Sequence, residues 1–157
     1  MDYIRHLRSM VGHERVLMVT AGVFVFDEKN RLLLQKRSDN GQWGLPGGFM
    51  ELDEDIQTAA TREVLEETGL KVSNLELFGI YSGPRFNKTF ANGDQVSLLQ
   101  ILFISRSFTG SVLERNEESI ENGFFSLDKL PDSIFTDHME FINDMVTKGS
   151  NGEVEVK

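Results

Sequence analysis

Three glutamates, Glu63, Glu66 and Glu67, stand at i, i+3 and i+4 within "REVLEETG", Arg62 to Gly69. On a helix that spacing gathers them inside an arc of about 100°. Gly69 sits where a helix takes a left-handed stop, so the acids crowd the C-terminal end, where the helix dipole repels them. On a wheel begun at Ile56, Ala59 and Ala60 share its side, Val64 lies at the edge, and Glu63 and Glu67 continue the same stripe with Glu66 nearby. An amphipathic helix ordinarily keeps that stripe apolar. Crowded, partly buried carboxylates resist joint ionisation. A hard divalent ion such as Mg²⁺ or Mn²⁺ relieves the repulsion by taking their oxygens as ligands. The bland alternative is a solvated acidic face, the usual fate of glutamates.

The context favours the ion. The run "GFMELDEDIQTAATREVLEETGL" has Gly48 six residues before Glu54, Glu54 eight before Arg62, and then the acids and Gly69. It fits G-x5-E-x7-R-E-U-x-E-E-x-G-U, with U an apolar aliphatic residue. At average residue usage, a chance match in one chain is on the order of 10⁻⁷ or less. This run resembles the signature of the Nudix hydrolases. The resemblance implies an α+β fold, an α/β/α sandwich around a mixed sheet. It implies hydrolysis of nucleoside diphosphates linked to another group, usually with Mg²⁺. It implies that Glu66 and Glu67 ligate metal, that Glu63 is a further ligand or a general base, and that a carbonyl near Gly47 completes the shell. Arg62 and Glu54 match positions that orient these acids. Asp53 falls where many relatives have glycine. Several members take their base from a later loop, which makes Glu118 and Glu121 the alternative bases here. Many relatives are dimers, and the N-terminal helix or an edge strand is available for a second copy.

The chemistry agrees with what the resemblance implies. A diphosphate is strongly anionic, and a chain of formal charge −9 needs a cation to hold it. Water with a carboxylate base suffices as nucleophile, and the chain has no cysteine to offer instead. Gly47 and Gly48 allow a tight approach of backbone to ligand, but no G-K-[ST] of a P-loop follows.

Elements must position these groups. Residues 3–10 read as a short helix and 16–27 as a strand. After a turn, 32–37 reads as a strand returning antiparallel, and 38–48 as a loop. The signature helix is expected from Glu54, with Asp53 as N-cap. A strand bent at Ser73–Asn74 follows, then a loop over 84–94 and a core strand from Gln95. After an acidic connector comes a short strand at 124–128, and a helix spans 136–145. One domain over 1–148 is expected, 1–15 being a helical extension, with a flexible tail at 149–157.

Other candidates carry two readings each. Trp43 either stacks on a base or plugs the loop against the core. Arg85, Asn87 and Lys88 either contact the substrate or form a solvated loop. His6, His13 and His138 show no ligand spacing and read as surface or capping residues. The acidic balance argues against duplex nucleic acid as partner. No apolar run reaches the roughly 20 residues of a membrane span, and no signal peptide is legible, so a cytoplasmic location is expected. A catalytically silent nucleotide-binding or regulatory module of the same fold is the competing reading, but it expects a damaged acid set.

Overall fold

The computed structural model describes residues 2–149 and 152–157. In chain order the elements are α1 (Tyr3–Val11), β1 (Val16–Val25), β2 (Leu32–Arg37), β3 (Trp43–Gly44), β4 (Gly47–Phe49), α2 (Ile56–Thr68), β5 (Lys71–Ser73), β6 (Glu76–Tyr81), β7 (Asn87–Thr89), β8 (Gln95–Ser105), β9 (Ser107–Thr109), β10 (Ser119–Phe125), α3 (Met139–Lys148) and β11 (Glu155–Val156). One-turn 3₁₀ helices at Pro84–Phe86 and Thr136–His138 precede β7 and α3.

The fold is α+β, a mixed sheet with helices on both faces. Its main sheet runs β11-β6-β8-β1-β4, with β7 also on β8. The long strands β1 and β8 pair in parallel, and β4 and β6 flank them antiparallel. Strand alternation divides the core. Phe24 and Phe26 point with Leu102 and Ile104 toward Phe141, Ile142 and Met145 of α3. Val23 and Val25 point with Phe103 toward Ala59, Ala60 and Val64 of α2. Each large apolar side chain so buried contributes about 1.5–3 kcal/mol. The small residues Ala59 and Ala60 let α2 lie close to the sheet, and that closeness carries its acidic end inward.

Several expectations need correction. β2 does return antiparallel to β1, at the Phe26–Leu32 bridge and the Asp27 N–H to Arg31 O bond of the turn, but it then joins β10 and β3 in a separate sheet. The reason lies in its burial: Leu32, Leu33 and Leu34 are all fully buried, so both faces need cover and the strand sits between layers. The stretch 38–48, read as a loop, contains β3 and the start of β4. The bent strand after α2 is two strands, broken where Asn74 takes φ 51°. The strand expected at 124–128 begins at Ser119 and carries a bulge near Glu121. The helix expected from Glu54 starts at Ile56, because Asp55 caps it by accepting the Thr58 N–H at 2.7 Å. Asp53 instead takes a left-handed conformation, φ 64°, in the turn before the helix. The tail expected to be flexible falls partly on residues 150 and 151, outside the described residues. Its end forms β11, parallel to β6, where Lys157 N–H donates to Ile80 O. Among the described residues, no helix is long and apolar enough to cross a membrane.

Candidate active site

α2 ends with its stripe of acids facing the sheet. Gly69 stops it at φ 82°, and the side-chain amides of Asn116 and Asn122 donate to the carbonyl of Glu67 at 2.7 and 3.3 Å. These donors satisfy end carbonyls that a helix leaves open. Glu67 is 3% exposed. Its carboxylate accepts from Gln35 Nε2, and Gln35 Oε1 accepts from Ser119 Oγ at 2.6 Å. Burial first, and then the neighbouring Glu63, push the Glu67 carboxyl well above the usual range. Glu63, with a side chain 13% exposed, is also raised by burial, against the opposing pull of Arg62. With Glu67 protonated the pair shares a hydrogen bond. Glu66 is exposed and 3.4 Å from Arg62.

Arg62 is the organiser. Its guanidinium donates to Glu54 at 2.8 and 3.1 Å, to Glu63 at 2.9 Å and to the Phe49 carbonyl at 3.0 Å. It thereby ties α2 to β4. Its contact holds the Glu54 carboxyl below the usual range, and Glu54 also accepts the Glu51 N–H at 2.7 Å. Gly48 faces the Glu63 carboxyl so closely that a Cβ there would fall 2.5 Å from Glu63 Cδ. The backbone of β4 thus lies directly against the acids.

The donor set fits a divalent ion. Glu63 and Glu67 are oxygen ligands whose joint ionisation burial opposes, and the glycine backbone leaves room beside them. Among the described residues, no three Asp, Glu or His side chains already converge on one point.

Glu67, Gly47, Gly48 and Glu118 line a cavity of about 350 Å³. Its walls include Leu45, Leu98, Leu102 and Phe141, with Gln100, Thr20 and His138 as polar members. Arg37 and Lys88 are its cationic lining. Arg37 lies 4.2 Å over the Phe135 ring and pairs with Asp39, while Lys88 lies 4.9 Å from that ring and pairs with Asp137 at 2.6 Å.

Other candidates fall elsewhere. Trp43 is 9% exposed and packs edge-on to Phe125 at 4.9 Å, so it plugs the core and does not line the cavity. Arg85 pairs with Glu140 at 2.9 Å, and Asn87 is exposed; neither lines the cavity. Their neighbour Lys88 does, because β7 turns alternate residues inward. Glu121 is exposed on the bulge of β10 and away from the cavity. His138 is no surface residue. Its Nδ1 accepts the Leu45 N–H at 3.0 Å, and burial holds its pKa down to about 3.

Sequence reading missed Gln35, Ser119, Asn116 and Gln100. Gln35 and Gln100 each interrupt an apolar strand, the one available signal.

An acid pair thus lies buried beneath a cavity in an α+β mixed sheet. Comparison with known proteins names the class of hydrolase to which this fold belongs. A NUDIX domain family model matches residues 16–145. An ADP-ribose pyrophosphatase of Methanocaldococcus jannaschii is 36% identical over 123 residues, covering 76% of this chain and 68% of that one. A Bacillus subtilis protein named "Putative 8-oxo-dGTP diphosphatase" is 31% identical over 142 residues, covering 89% of each. The crystal structure of a MutT protein from Methanosarcina mazei superposes with a TM-score of 0.70 at 25% identity, covering 88% of this chain and 99% of that one. The chain belongs to the Nudix hydrolase family, as a Nudix pyrophosphohydrolase.

Proposed function

We propose that the protein hydrolyses the pyrophosphate bond of nucleoside diphosphates carrying a further group, with Mg²⁺ as the working ion and Mn²⁺ able to substitute. The observation that carries the reading is the Glu63–Glu67 pair, raised by burial, with Glu67 lining the cavity that also holds Glu118 and the Gly47–Gly48 backbone. Glu63, Glu66, Glu67 and the Gly47 carbonyl are the groups that would hold the ion. Bound there, the ion supplies neutralisation of the diphosphate and a lowered pKa for water.

The chain's own residues supply the rest. Arg62, locked by Glu54, keeps Glu63 directed at the β4 backbone. Gln35 fixes the Glu67 carboxylate. Glu118, one of the carboxylates lining the cavity, would take the proton of the attacking water. Water oxygen bonds to phosphorus, the bridging P–O bond breaks, and both products leave as phosphates. Arg37 and Lys88 attract the anionic substrate into the cavity, and the apolar walls limit competing solvent. The reading places the enzyme in the cytoplasm, where nucleotides and Mg²⁺ meet.

The relatives reported above are named for ADP-ribose and, as "Putative 8-oxo-dGTP diphosphatase", for 8-oxo-dGTP, which makes these the first two substrates to try. The test is a product screen with Mg²⁺ over canonical and oxidised nucleoside triphosphates, ADP-ribose, dinucleoside polyphosphates, nucleotide sugars and 5′-triphosphorylated RNA. Products are identified by mass. Release of a nucleoside monophosphate or its equivalent from at least one substrate, abolished by chelator, is expected. Binding without turnover across the screen would instead favour the silent module.

A further inference from the structure

Gln100 sits in the middle of β8, with both backbone edges of that strand in use: β1 pairs on one side and β6 on the other. On the same face, two residues before and after it, are Leu98 and Leu102, and all three line the cavity. Strand alternation calls for an apolar residue in that slot. Gln100 is 7% exposed, and its side-chain amide, hydrogen-bonded by no described residue, opens onto the cavity. Its cross-strand neighbour Thr20 lines the cavity beside it. A polar amide set among apolar walls and open to the cavity, with no protein partner, is free to pair with a ligand there.

We propose that Gln100 is a specificity-determining residue that reads the polar edge of the substrate's nucleobase, an edge on which a hydrogen-bond donor and an acceptor stand side by side. The inference rests on the reading of the protein as a nucleotide hydrolase and extends it to the base. A primary amide presents one donor face and one acceptor oxygen together. Adenine offers N6–H₂ beside N7, the matching pair. Guanine oxidised at C8 offers N7–H beside O6, which also matches. Ordinary guanine offers two acceptors on that edge, which does not. The flat faces of a base suit Leu45, Leu98, Leu102 and Phe141. His138 supplies a further donor: with Nδ1 accepting from Leu45, the proton of the neutral ring lies on Nε2.

The test uses the full chain and ligands that cannot be turned over. AMP, 8-oxo-dGMP and base-free ribose 5-phosphate are titrated calorimetrically, with Mg²⁺, into wild type, Gln100→Leu and Gln100→Glu. Wild type should bind one of the nucleotides better than ribose 5-phosphate, and which one tells the adenine source from the oxidised-guanine source. Gln100→Leu should weaken that nucleotide by about 10- to 100-fold. Ribose 5-phosphate binding should not change, and the melting temperature should not fall. Gln100→Glu keeps the size but loses the donor, and should weaken the same nucleotide even if the leucine variant folds poorly. Nucleotide affinity within twofold of wild type in both variants overturns the proposal. So does an equal loss for ribose 5-phosphate, or a wild type that prefers neither nucleotide. Failure of the hydrolase reading looks different: wild type would turn over no diphosphate, while these binding differences would stand.

Discussion

The acids of this site are arranged against their own ionisation. Glu67 has a buried carboxyl beside Glu63, and both are raised. In metal-free protein the folded state therefore keeps a proton that the unfolded chain has released above its ordinary value of 4.5. Stability must fall as pH rises from that value through the raised one, where the folded protein finally ionises. Chelator-treated protein followed by thermal unfolding from pH 5 to 8 should show this decline, and Glu67→Gln should flatten it. The same substitution should cut turnover by about two orders of magnitude or more while the fold survives, measured as kcat on the best substrate. Arg62→Ala should cost both activity and stability, because it leaves Glu54 and Glu63 half-buried without their partner. Differential unfolding in denaturant should show a loss of about 2–4 kcal/mol.

At the scale of elements, the turn into α2 and the end of the chain carry separate predictions. Asp53 holds φ 64° while exposed, and no described contact rewards its side chain. Asp53→Gly should stabilise by up to about 1 kcal/mol, read as a small rise in the denaturant midpoint, with kcat unchanged. β11 covers the edge of β6, and Glu155 is 6% exposed, paired with Lys148. Lys157 bonds Asp144, the acceptor of the buried Tyr81 hydroxyl. Deleting residues 153–157 should lower the melting temperature and expose the β6 edge to self-association, visible by light scattering.

The elements also show where sequence reading succeeds. α2 was legible because its signature fixes residue type at each spacing, and its stripe of acids breaks the expected amphipathic pattern. Its first turn was misplaced because Asp53 and Asp55 are equally good caps by type; only the φ each adopts decides between them. The antiparallel return of β2 is legible from the turn before it, but its pairing with β10 and β3 is not; that follows from three consecutive buried leucines, which need cover on both faces. Glu118 and Glu121 could not be ranked from the connector alone, since the bulge of β10 changes which residues point inward. Gln35 and Gln100 are ordinary letters in apolar strands until the cavity beside them is seen.

Taken whole, the molecule is an acidic protein, net charge −9, built around a cavity whose floor is acidic and whose cationic lining is Arg37 and Lys88. Such a body holds a diphosphate poorly without a bound cation. It also stores a repulsion that the cation relieves. An ion that binds only the folded state stabilises it by mass action, about 2.7 kcal/mol at one hundred times its dissociation constant. The most direct measurement is therefore the melting temperature of wild type and Glu67→Gln at pH 7.5 across a Mg²⁺ titration from micromolar to tens of millimolar. Wild type should rise steadily with the logarithm of concentration, and the variant should stay nearly flat. A wild-type curve indifferent to Mg²⁺, or a variant that rises as steeply, would contradict this.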